Sequence, residues 1–256
     1  MADRTLKLVS YNILDGGLGR LDPIYETLLY LAPDVVGLCE ADDPKSVRYL
    51  GDKLGMEYVM AEGQAGRAVA LLTRFPLRRM VNLCVDEPLL DRGAMEAVIE
   101  LDGQALRLAL VHLRAGQSRQ DEEVRLQQID RLLSALEAES MPTVLMGDLN
   151  AAAPYHPFDY EAASPKLRQR LDERGVRGLD HDVVRHMMSR GWVDAYHHRS
   201  PVEPKHTYTT GFPCARFDYI WVSPDLERYI AEADIEQGGF APYCSDHYPI
   251  WAMLGF

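Results

Sequence analysis

The chain has 256 residues, of which 47% are apolar, and it carries a formal net charge of −12. A chain of this length and composition can bury a sizeable core without disulfide or metal cross-links. The strong negative charge disfavours unaided, non-specific binding to duplex nucleic acid, although cations held in an acidic site would soften that penalty.

The four cysteines show no paired spacing, so neither a zinc site nor a disulfide framework is expected. Free cysteine behaves as a small hydrophobic residue, which fits a reducing compartment. The N-terminus lacks a basic segment followed by an apolar stretch, and no apolar run approaches the ~20 residues of a membrane helix. We therefore expect a cytoplasmic protein that has no membrane partner and no evident obligate protein partner.

In chain order, the first half of the sequence reads as short strands interrupted by two helices. A strand at 6–13 precedes a helix that Asp22 would cap, and a buried strand at 35–39 precedes a helix at 44–54. Asp102-Gly103 is typical of a hairpin turn. Further strands are predicted at 57–62, 68–74, 79–85, 93–101 and 105–113.

The second half contains the clearest helix, over 118–138, whose apolar residues form one face. The irregular stretch 151–180 is expected to form an active-site rim or to be partly helical. The remaining predicted elements are a strand at 143–146, a helix near 182–190, and strands at 216–223, 230–236 and 248–254. Because strands outnumber helices and several form consecutive pairs, the pattern predicts an α+β sandwich in a single domain covering 1–256.

Polar residues follow the apolar strands, where a rigid scaffold can bring side chains together. Each has a purely structural interpretation: an Asp and Asn pair can form a turn, a lone histidine can be a core residue, and a glutamate can cap the next helix. Their joint placement at strand ends favours one catalytic site. These residues are Asn12, Glu40, His112, Asp148, Asn150, Asp218, Asp246 and His247.

Several of these residues lie in an ordered set of motifs that spans nearly the whole chain. The motifs are Ser-Tyr-Asn-Ile (10–13), Val-Val-Gly-Leu-Cys-Glu (35–40), Val-His-Leu (111–113), Gly-Asp-Leu-Asn (147–150), Arg-Phe-Asp-Tyr-Ile (216–220) and Ser-Asp-His-Tyr-Pro (245–249). The set resembles the endonuclease/exonuclease/phosphatase superfamily, which includes abasic-site endonucleases, deoxyribonucleases, sphingomyelinases, inositol-polyphosphate phosphatases and deadenylases. The resemblance implies a two-sheet β-sandwich flanked by helices, a four-layer α/β/β/α arrangement with the site at one end.

The resemblance also implies a role for each residue. Glu40 matches the principal metal-binding carboxylate, with Asn12 and Asp246 beside it. Asp148 and Asn150 match the pair that positions the attacking water and the phosphate oxygens.

The two histidines have roles by the same resemblance. Asp218 matches the residue that orients His247, and His112 matches the second histidine of the deoxyribonuclease and sphingomyelinase branches. The abasic-site branch carries a tyrosine motif in that region, which Val-His-Leu-Arg (111–114) does not resemble. Cys39 stands where many relatives have glutamine, a change that we expect to be neutral.

The residue types suit phosphate ester hydrolysis independently of the resemblance. A hard cation such as Mg²⁺, or Mn²⁺ in its place, binds carboxylate and amide oxygens and neutralises phosphate charge. An aspartate-paired histidine can stay protonated and stabilise the transition state. Asp148 can accept a proton from water, which contributes a factor of about 10²–10⁴. The sequence therefore predicts Mg²⁺-dependent hydrolysis of a phosphate ester by direct attack of water.

The substrate class stays open between a small-molecule phosphoester and a nucleic acid. Candidate contacts to a nucleic acid backbone are Arg114, Arg67, Arg92 and three residues of the 155–175 segment, Lys166, Arg168 and Arg170. The net charge makes a small phosphoester, a lipid headgroup or a short single-stranded end at least as consistent as duplex DNA. A catalytically silent binding module is the alternative of another class, and the presence of Glu40, Asp148 and His247 argues against it.

Overall fold

The computed structural model describes residues 4–64, 66–101, 103–199 and 204–256. Its first half contains β1 (Thr5–Asn12), α1 (Leu21–Leu31), β2 (Val35–Cys39), α2 (Pro44–Leu54), β3 (Glu57–Glu62), β4 (Ala68–Thr73), β5 (Leu77–Asn82), β6 (Ala94–Leu101), β7 (Gln104–His112) and α3 (Arg119–Glu137). Its second half contains β8 (Thr143–Asp148), α4 (Pro165–Glu173), α5 (Asp182–Ser189), β9 (Val193–Asp194), α6 (Ala195–Arg199), β10 (Asp218–Val222), β11 (Ile230–Ile235), α7 (Ala241–Cys244) and β12 (Ile250–Gly255).

These strands form two mixed sheets of six strands. The first has the order β11-β12-β1-β2-β4-β3, and the second has the order β5-β6-β7-β8-β10-β9. A parallel pair lies inside each sheet, β1 with β2 and β7 with β8, while their outer neighbours run antiparallel. Parallel neighbours need a crossover connection, which α1 and α3 provide.

Buried apolar side chains form three layers, one between the two sheets and one between each sheet and the helices that cover it. Residues such as Leu8 of β1 and Leu108 of β7 pack between the two sheets. Helices α1 and α2 cover the outer face of the first sheet, and α3 and α5 cover that of the second. The sheets approach closely at Gly37, where an added Cβ would lie 2.8 Å from Leu110 Cδ1. The arrangement confirms the predicted α+β sandwich with its α/β/β/α layers.

Most predicted element positions are confirmed, and the differences have local causes. Helix α1 begins at Leu21, so Asp22 is not its cap; the Asp22 carboxylate instead accepts a hydrogen bond from Tyr49 Oη at 2.5 Å. The strand predicted at 79–85 ends earlier, because Asn82 Oδ1 accepts a hydrogen bond from Cys84 N and turns the chain.

Other differences fall in loops and short elements. Asp43 caps α2 by accepting from Lys45 N at 3.1 Å, so Glu40 is not the cap. The irregular stretch after β8 contains α4, in agreement with the prediction that it is partly helical. Asp102 of the predicted hairpin turn lies outside the described residues, although β6 and β7 pair on either side of it. Among the described helices, none is long and apolar enough to cross a membrane.

Candidate active site

Strand direction brings the predicted site residues to one end of the sandwich. The parallel strands β1, β2, β7 and β8 end there, and β10 and β12, which run antiparallel to their neighbours, begin there. A cavity of about 150 Å³ opens at this end. Its lining includes Asn12, Glu40, His112, Asp148, Asn150, Asp246 and His247.

The other two predicted residues lie outside this lining. Asp218 lies behind His247, to which it is hydrogen-bonded. Arg114 has a half-exposed side chain that pairs with Asp121 at 3.5 Å, while the residues that follow it, 115–117, reach the cavity.

His247 and Asp218 form a buried ion pair at the cavity wall. His247 Nδ1 lies 2.7 Å from Asp218 Oδ2, which fixes the ring and its protonation pattern. Burial would lower the pKa of the imidazole, but Asp218 and then Asp148 outweigh it and raise that pKa to about 10. His247 Nε2 lies 3.9 Å from Asp148 Oδ2, so a charged donor faces the cavity at neutral pH.

Asp148 is the buried carboxylate at the centre of the site. Its Oδ2 accepts from Asn12 Nδ2 at 2.9 Å, and its Oδ1 accepts from the backbone N of Asn150 at 2.8 Å. Burial and the neighbouring Asp218 raise the pKa of Asp148 to about 7, even though His247 acts in the opposite direction. The carboxyl group is therefore poised to exchange a proton near neutral pH.

The backbone around Asp148 is shaped by its neighbours. Gly147 has a φ of 140°, and an added Cβ would lie 1.9 Å from the carbonyl oxygen of Val111, so only glycine fits. Asn150 adopts a φ of 48° and donates from Nδ2 to the carbonyl oxygen of Leu113 at 3.2 Å. The Gly-Asp-Leu-Asn motif is thus fixed by a close backbone approach on one side and a side-chain hydrogen bond on the other.

His112 differs from His247 in its charge. Burial and the nearby Arg92 hold the pKa of His112 well below its usual range, so the ring is neutral. Arg92 Nε donates to His112 Nε2 at 3.2 Å, and Arg92 itself lines the cavity. Both histidines lie near Asp148, whose Oδ2 is 3.6 Å from His112 Nε2. They carry different charges because burial and Arg92 keep His112 neutral, whereas Asp218 and Asp148 keep His247 charged.

Glu40 lies immediately after β2 with a φ of 54°. Its Oε2 accepts from the backbone N of Asp15 at 3.1 Å and from Arg67 Nη1 at 2.8 Å. Its Oε1 lies 3.4 Å from Asn12 Nδ2 and 3.6 Å from Arg92 Nη2. The backbone of Asp246 is held by Thr210 N, which donates to its carbonyl oxygen at 3.0 Å.

The donor set of the cavity fits a hard divalent cation. Glu40, Asp148 and Asp246 carry carboxylate oxygens and Asn12 carries an amide oxygen, which are the ligands that Mg²⁺ and Mn²⁺ prefer. In this structure Asn12 Oδ1 accepts from Leu14 N at 3.0 Å, and its Nδ2 faces Asp148 and Glu40. Asp148, Asp218 and His247 also lie within ligand distance of one another, but a protonated imidazole has no free lone pair for a metal. Glu40 is therefore the better centre for a cation.

Some residues at the site were not singled out as site residues from the sequence. Tyr208 lines the cavity and packs on His247, with ring centroids 5.0 Å apart, yet it lies in a segment without strand or helix periodicity. Asp15 and Asp42 contact Arg67, and only their closeness in sequence to Asn12 and Glu40 could have indicated them.

Comparison with known proteins places the chain in a family. The sequence profile of the Endonuclease/Exonuclease/phosphatase family matches residues 9–247. A comparison with curated protein sequences gives no match.

Solved structures share the fold at low sequence identity. An AP endonuclease from Archaeoglobus fulgidus superposes with a TM-score of 0.75 at 18% identity, covering 97% of this chain and 99% of that chain. A variant of the 3′ phosphatase NExo from Neisseria, bound to a product DNA hairpin, gives 0.74 at 18% identity over 98% and 100% of the two chains. An endonuclease/exonuclease/phosphatase from Beutenbergia cavernae gives 0.72 at 18% identity over 99% and 72%. The chain belongs to the endonuclease/exonuclease/phosphatase family of metal-dependent hydrolases that act on phosphate esters.

Proposed function

We propose that this protein hydrolyses a phosphate ester by direct attack of water, with Mg²⁺ as the cofactor and Mn²⁺ able to replace it. The observation that carries the proposal is the convergence of a protonated His247, the carboxylate of Asp148 and the oxygen ligands around Glu40 on one small cavity. Direct attack on a phosphate ester needs a proton acceptor, a charged donor to the phosphate and charge neutralisation, and these groups supply all three.

The cation is assigned to Asn12, Glu40 and Asp246. When bound, it neutralises negative charge on the phosphate and polarises the bond to phosphorus. Asp148 then accepts the proton of the attacking water, and Asn150 helps to orient water and phosphate. His247 donates from Nε2 to a phosphate oxygen, because its Nδ1 proton is engaged by Asp218.

His112 and Arg92 form the opposite wall. Because His112 is neutral and accepts from Arg92, we assign it the task of holding the guanidinium group in place. Arg92 is then oriented to contact a phosphate oxygen from the cavity wall. Arg114 stays a proposed substrate contact at the rim, next to the segment 115–117.

The charge distribution favours a small phosphoester or a terminal phosphate over duplex nucleic acid. Arg67 is neutralised by three carboxylates, Arg114 pairs with Asp121, and Arg168 pairs with Glu161 at 3.5 Å. Guanidinium groups neutralised in this way add little attraction for a long polyanion. The cavity of about 150 Å³ has room for a phosphate group.

A nuclease acting on a single-stranded end is the second candidate, and exposed aromatic residues favour it. Phe212 is 50% exposed and Tyr243 is 74% exposed. Thr210 donates through its backbone N to the carbonyl of Asp246, so the turn bearing Phe212 lies beside the cation site, and Tyr243 lies three residues before Asp246. Stacking on such rings contributes about 1–3 kcal/mol per base.

A panel assay tests the proposed function. The purified protein is incubated with Mg²⁺ or Mn²⁺ and with abasic DNA, single-stranded DNA, DNA bearing a 3′ phosphate, RNA, inositol phosphates and sphingomyelin. We expect hydrolysis of a small phosphoester or of a strand end, lost in Glu40→Gln and on chelation. Equal hydrolysis rates for the wild type and Glu40→Gln would overturn the assignment of the cation to Glu40, and no hydrolysis of any substrate by the wild type would leave a binding module.

We also propose one domain and a cytoplasmic location. Strands β1 and β12, which are far apart in the sequence, pair within one sheet, and this supports the proposal of a single domain. The four cysteines are free and buried, which fits a reducing compartment.

A further inference from the structure

The segment 113–117, which follows β7, passes between the catalytic cavity and α3. Leu113 faces the cavity side, since its carbonyl oxygen accepts a hydrogen bond at 3.2 Å from Nδ2 of Asn150, a residue that lines the cavity. Arg114 faces α3, since its N donates to Gln128 Oε1 at 2.8 Å. The backbone polar groups of these two successive residues thus point to opposite sides, as they do in an extended strand.

Arg125 of α3 fixes the direction of two further peptide groups in this segment. Its Nη1 donates to the carbonyl oxygen of Arg114 at 2.9 Å and to that of Gly116 at 2.8 Å. In a planar trans peptide, the N–H of the next residue points opposite to the carbonyl group. The N–H groups of Ala115 and Gln117 therefore point away from α3 and towards the cavity, which both residues line.

Neither of these two N–H groups has an acceptor in the protein. Among the residues that the structure describes, no atom accepts a hydrogen bond from Ala115 N or Gln117 N. Backbone N–H groups need a hydrogen-bond partner, and several of them turned towards one concavity are suited to bind an anion. The anion that the proposed function brings to this cavity is the phosphate group of the substrate.

We propose that the N–H groups of Ala115 and Gln117 form a backbone site for the anionic oxygens of the substrate phosphate. The inference rests on the proposed function, because it takes this cavity as the place where the phosphate ester binds. It adds two uncharged donors to the charged donors His247 and Arg92. Uncharged donors are not neutralised by ion pairs with neighbouring carboxylates, as the guanidinium group of Arg67 is.

The fold holds this segment in place before any ligand binds. Arg125 and Glu122 are both buried, and Arg125 Nε donates to Glu122 Oε2 at 2.9 Å, which fixes the guanidinium group on α3. Gly116 has a φ of 128°, and an added Cβ would lie 2.2 Å from Asp121 Oδ2, so only glycine fits. The Asp121 carboxylate is itself fixed, because its Oδ2 accepts from Ser118 N at 3.1 Å. Donors that are held in position need no rearrangement to meet a negative charge.

The test replaces each N–H group with an ester oxygen while the side chain stays the same. Lactic acid, the α-hydroxy analogue of alanine, is incorporated at position 115 in one protein and at position 117 in another. The reference is the wild type for position 115 and Gln117→Ala for position 117, because each reference has the same methyl side chain and keeps its N–H. The measured quantity is the Kd of inorganic phosphate, titrated by phosphorus NMR with and without Mg²⁺.

We expect each ester to weaken phosphate binding by about 10–100-fold relative to its reference, because hydrogen bonds to charged groups contribute an effect of this size. The Mn²⁺ affinity should stay the same, since the two N–H groups do not contact the cation. Gly116→Ala, which uses only natural residues, should also weaken phosphate binding by displacing the segment. Gly175→Ala is the matched control with an unchanged phosphate Kd, because Gly175 also has a positive φ, of 67°, and lies just after α4 with no atom within 4 Å of an added Cβ.

Each outcome decides the inference. An unchanged phosphate Kd in both esters would overturn it, and continued hydrolysis by the same proteins would leave the proposed function intact. Parallel losses of phosphate and Mn²⁺ affinity would show a general disturbance of the cavity and would also overturn it. A wild type that neither binds phosphate nor hydrolyses any substrate of the panel would overturn both the inference and the proposed function. If circular dichroism shows that the ester proteins are unfolded, Gly116→Ala decides in their place, and a phosphate Kd equal to that of Gly175→Ala would contradict the inference.

Discussion

Replacing His247 with alanine tests the electrostatic core of the proposed mechanism. The imidazole lies 2.7 Å from Asp218 and 3.9 Å from Asp148, and these carboxylates hold it in the charged form. Loss of one preorganised donor to the transition state typically lowers turnover by about 10²–10³, or 3–4 kcal/mol. We expect a loss of this size for His247→Ala, measured as turnover on the best substrate from the panel.

The pH profile makes the prediction sharper. In the wild type, turnover should rise as Asp148 ionises near a pKa of about 7 and fall as His247 deprotonates near a pKa of about 10. In Asp218→Asn the main charge that raises the pKa of His247 is gone, while burial still lowers it. The alkaline limb should then move to lower pH, with Asp148 and Asp246 still acting against burial, and the active pH range should shift towards acid.

The same pKa shift has a stability consequence with a definite sign. Because the folded-state pKa of His247 lies above 6.5, its protonation stabilises the fold fully below pH 6.5, and this contribution is lost as the pH rises through about 10. His247→Ala also leaves two buried carboxylates without a counter-charge, so a lower melting temperature is expected. Turnover is therefore measured well below the melting temperature of each variant.

The matched control for this series is His186→Ala. His186 also pairs with an aspartate, since its Nε2 lies 3.1 Å from Asp130 Oδ1, but it lies on α5 away from the cavity. We expect its turnover to equal that of the wild type. The double variant His247→Ala/Asp218→Asn should be little worse than His247→Ala, because the two residues act as a unit. Near-normal turnover in His247→Ala, or an unmoved alkaline limb in Asp218→Asn, would refute the reasoning.

The geometry of the site supports three further predictions. Glu40→Gln should weaken Mn²⁺ binding by at least a factor of about 10–100, because loss of a residue that only supports a metal ligand already costs that much. If calorimetry shows an unchanged Mn²⁺ affinity, Glu40 is not a ligand. Gly147→Ala should destabilise the fold by at least about 1–3 kcal/mol, because the new Cβ meets the carbonyl oxygen of Val111; urea unfolding measures this change, and an unchanged midpoint would contradict the close approach. Asp148→Asn should lower turnover by about 10²–10⁴. Its melting temperature at pH 8 should not fall, because the raised pKa means that the ionised carboxylate disfavours the folded state there; a marked drop would show that Asp148 supports the fold.

The local sequence pattern determined the elements and the identity of the main polar groups. Apolar runs such as 35–39 and the helical face within 118–138 depend on burial along one element, so their periodicity was sufficient to place β2 and α3. Asp148 and His247 were recognised because each follows or precedes an apolar strand within an ordered motif. The ends of the helices and strands were harder to predict, because a side-chain hydrogen bond such as the one that Asn82 accepts can end a strand regardless of periodicity.

Tertiary structure alone decided which of these polar groups meet and what charge each carries. His112 and His247 are the same residue type beside similar strands, yet burial and Arg92 keep the first neutral and Asp218 makes the second charged. From the sequence, Arg67 is a candidate contact to nucleic acid, whereas the fold places it among carboxylates that are distant in the chain. The physical reason is that a pKa and an ion pair depend on distances of a few ångströms between separate segments, and sequence periodicity carries no information on those distances.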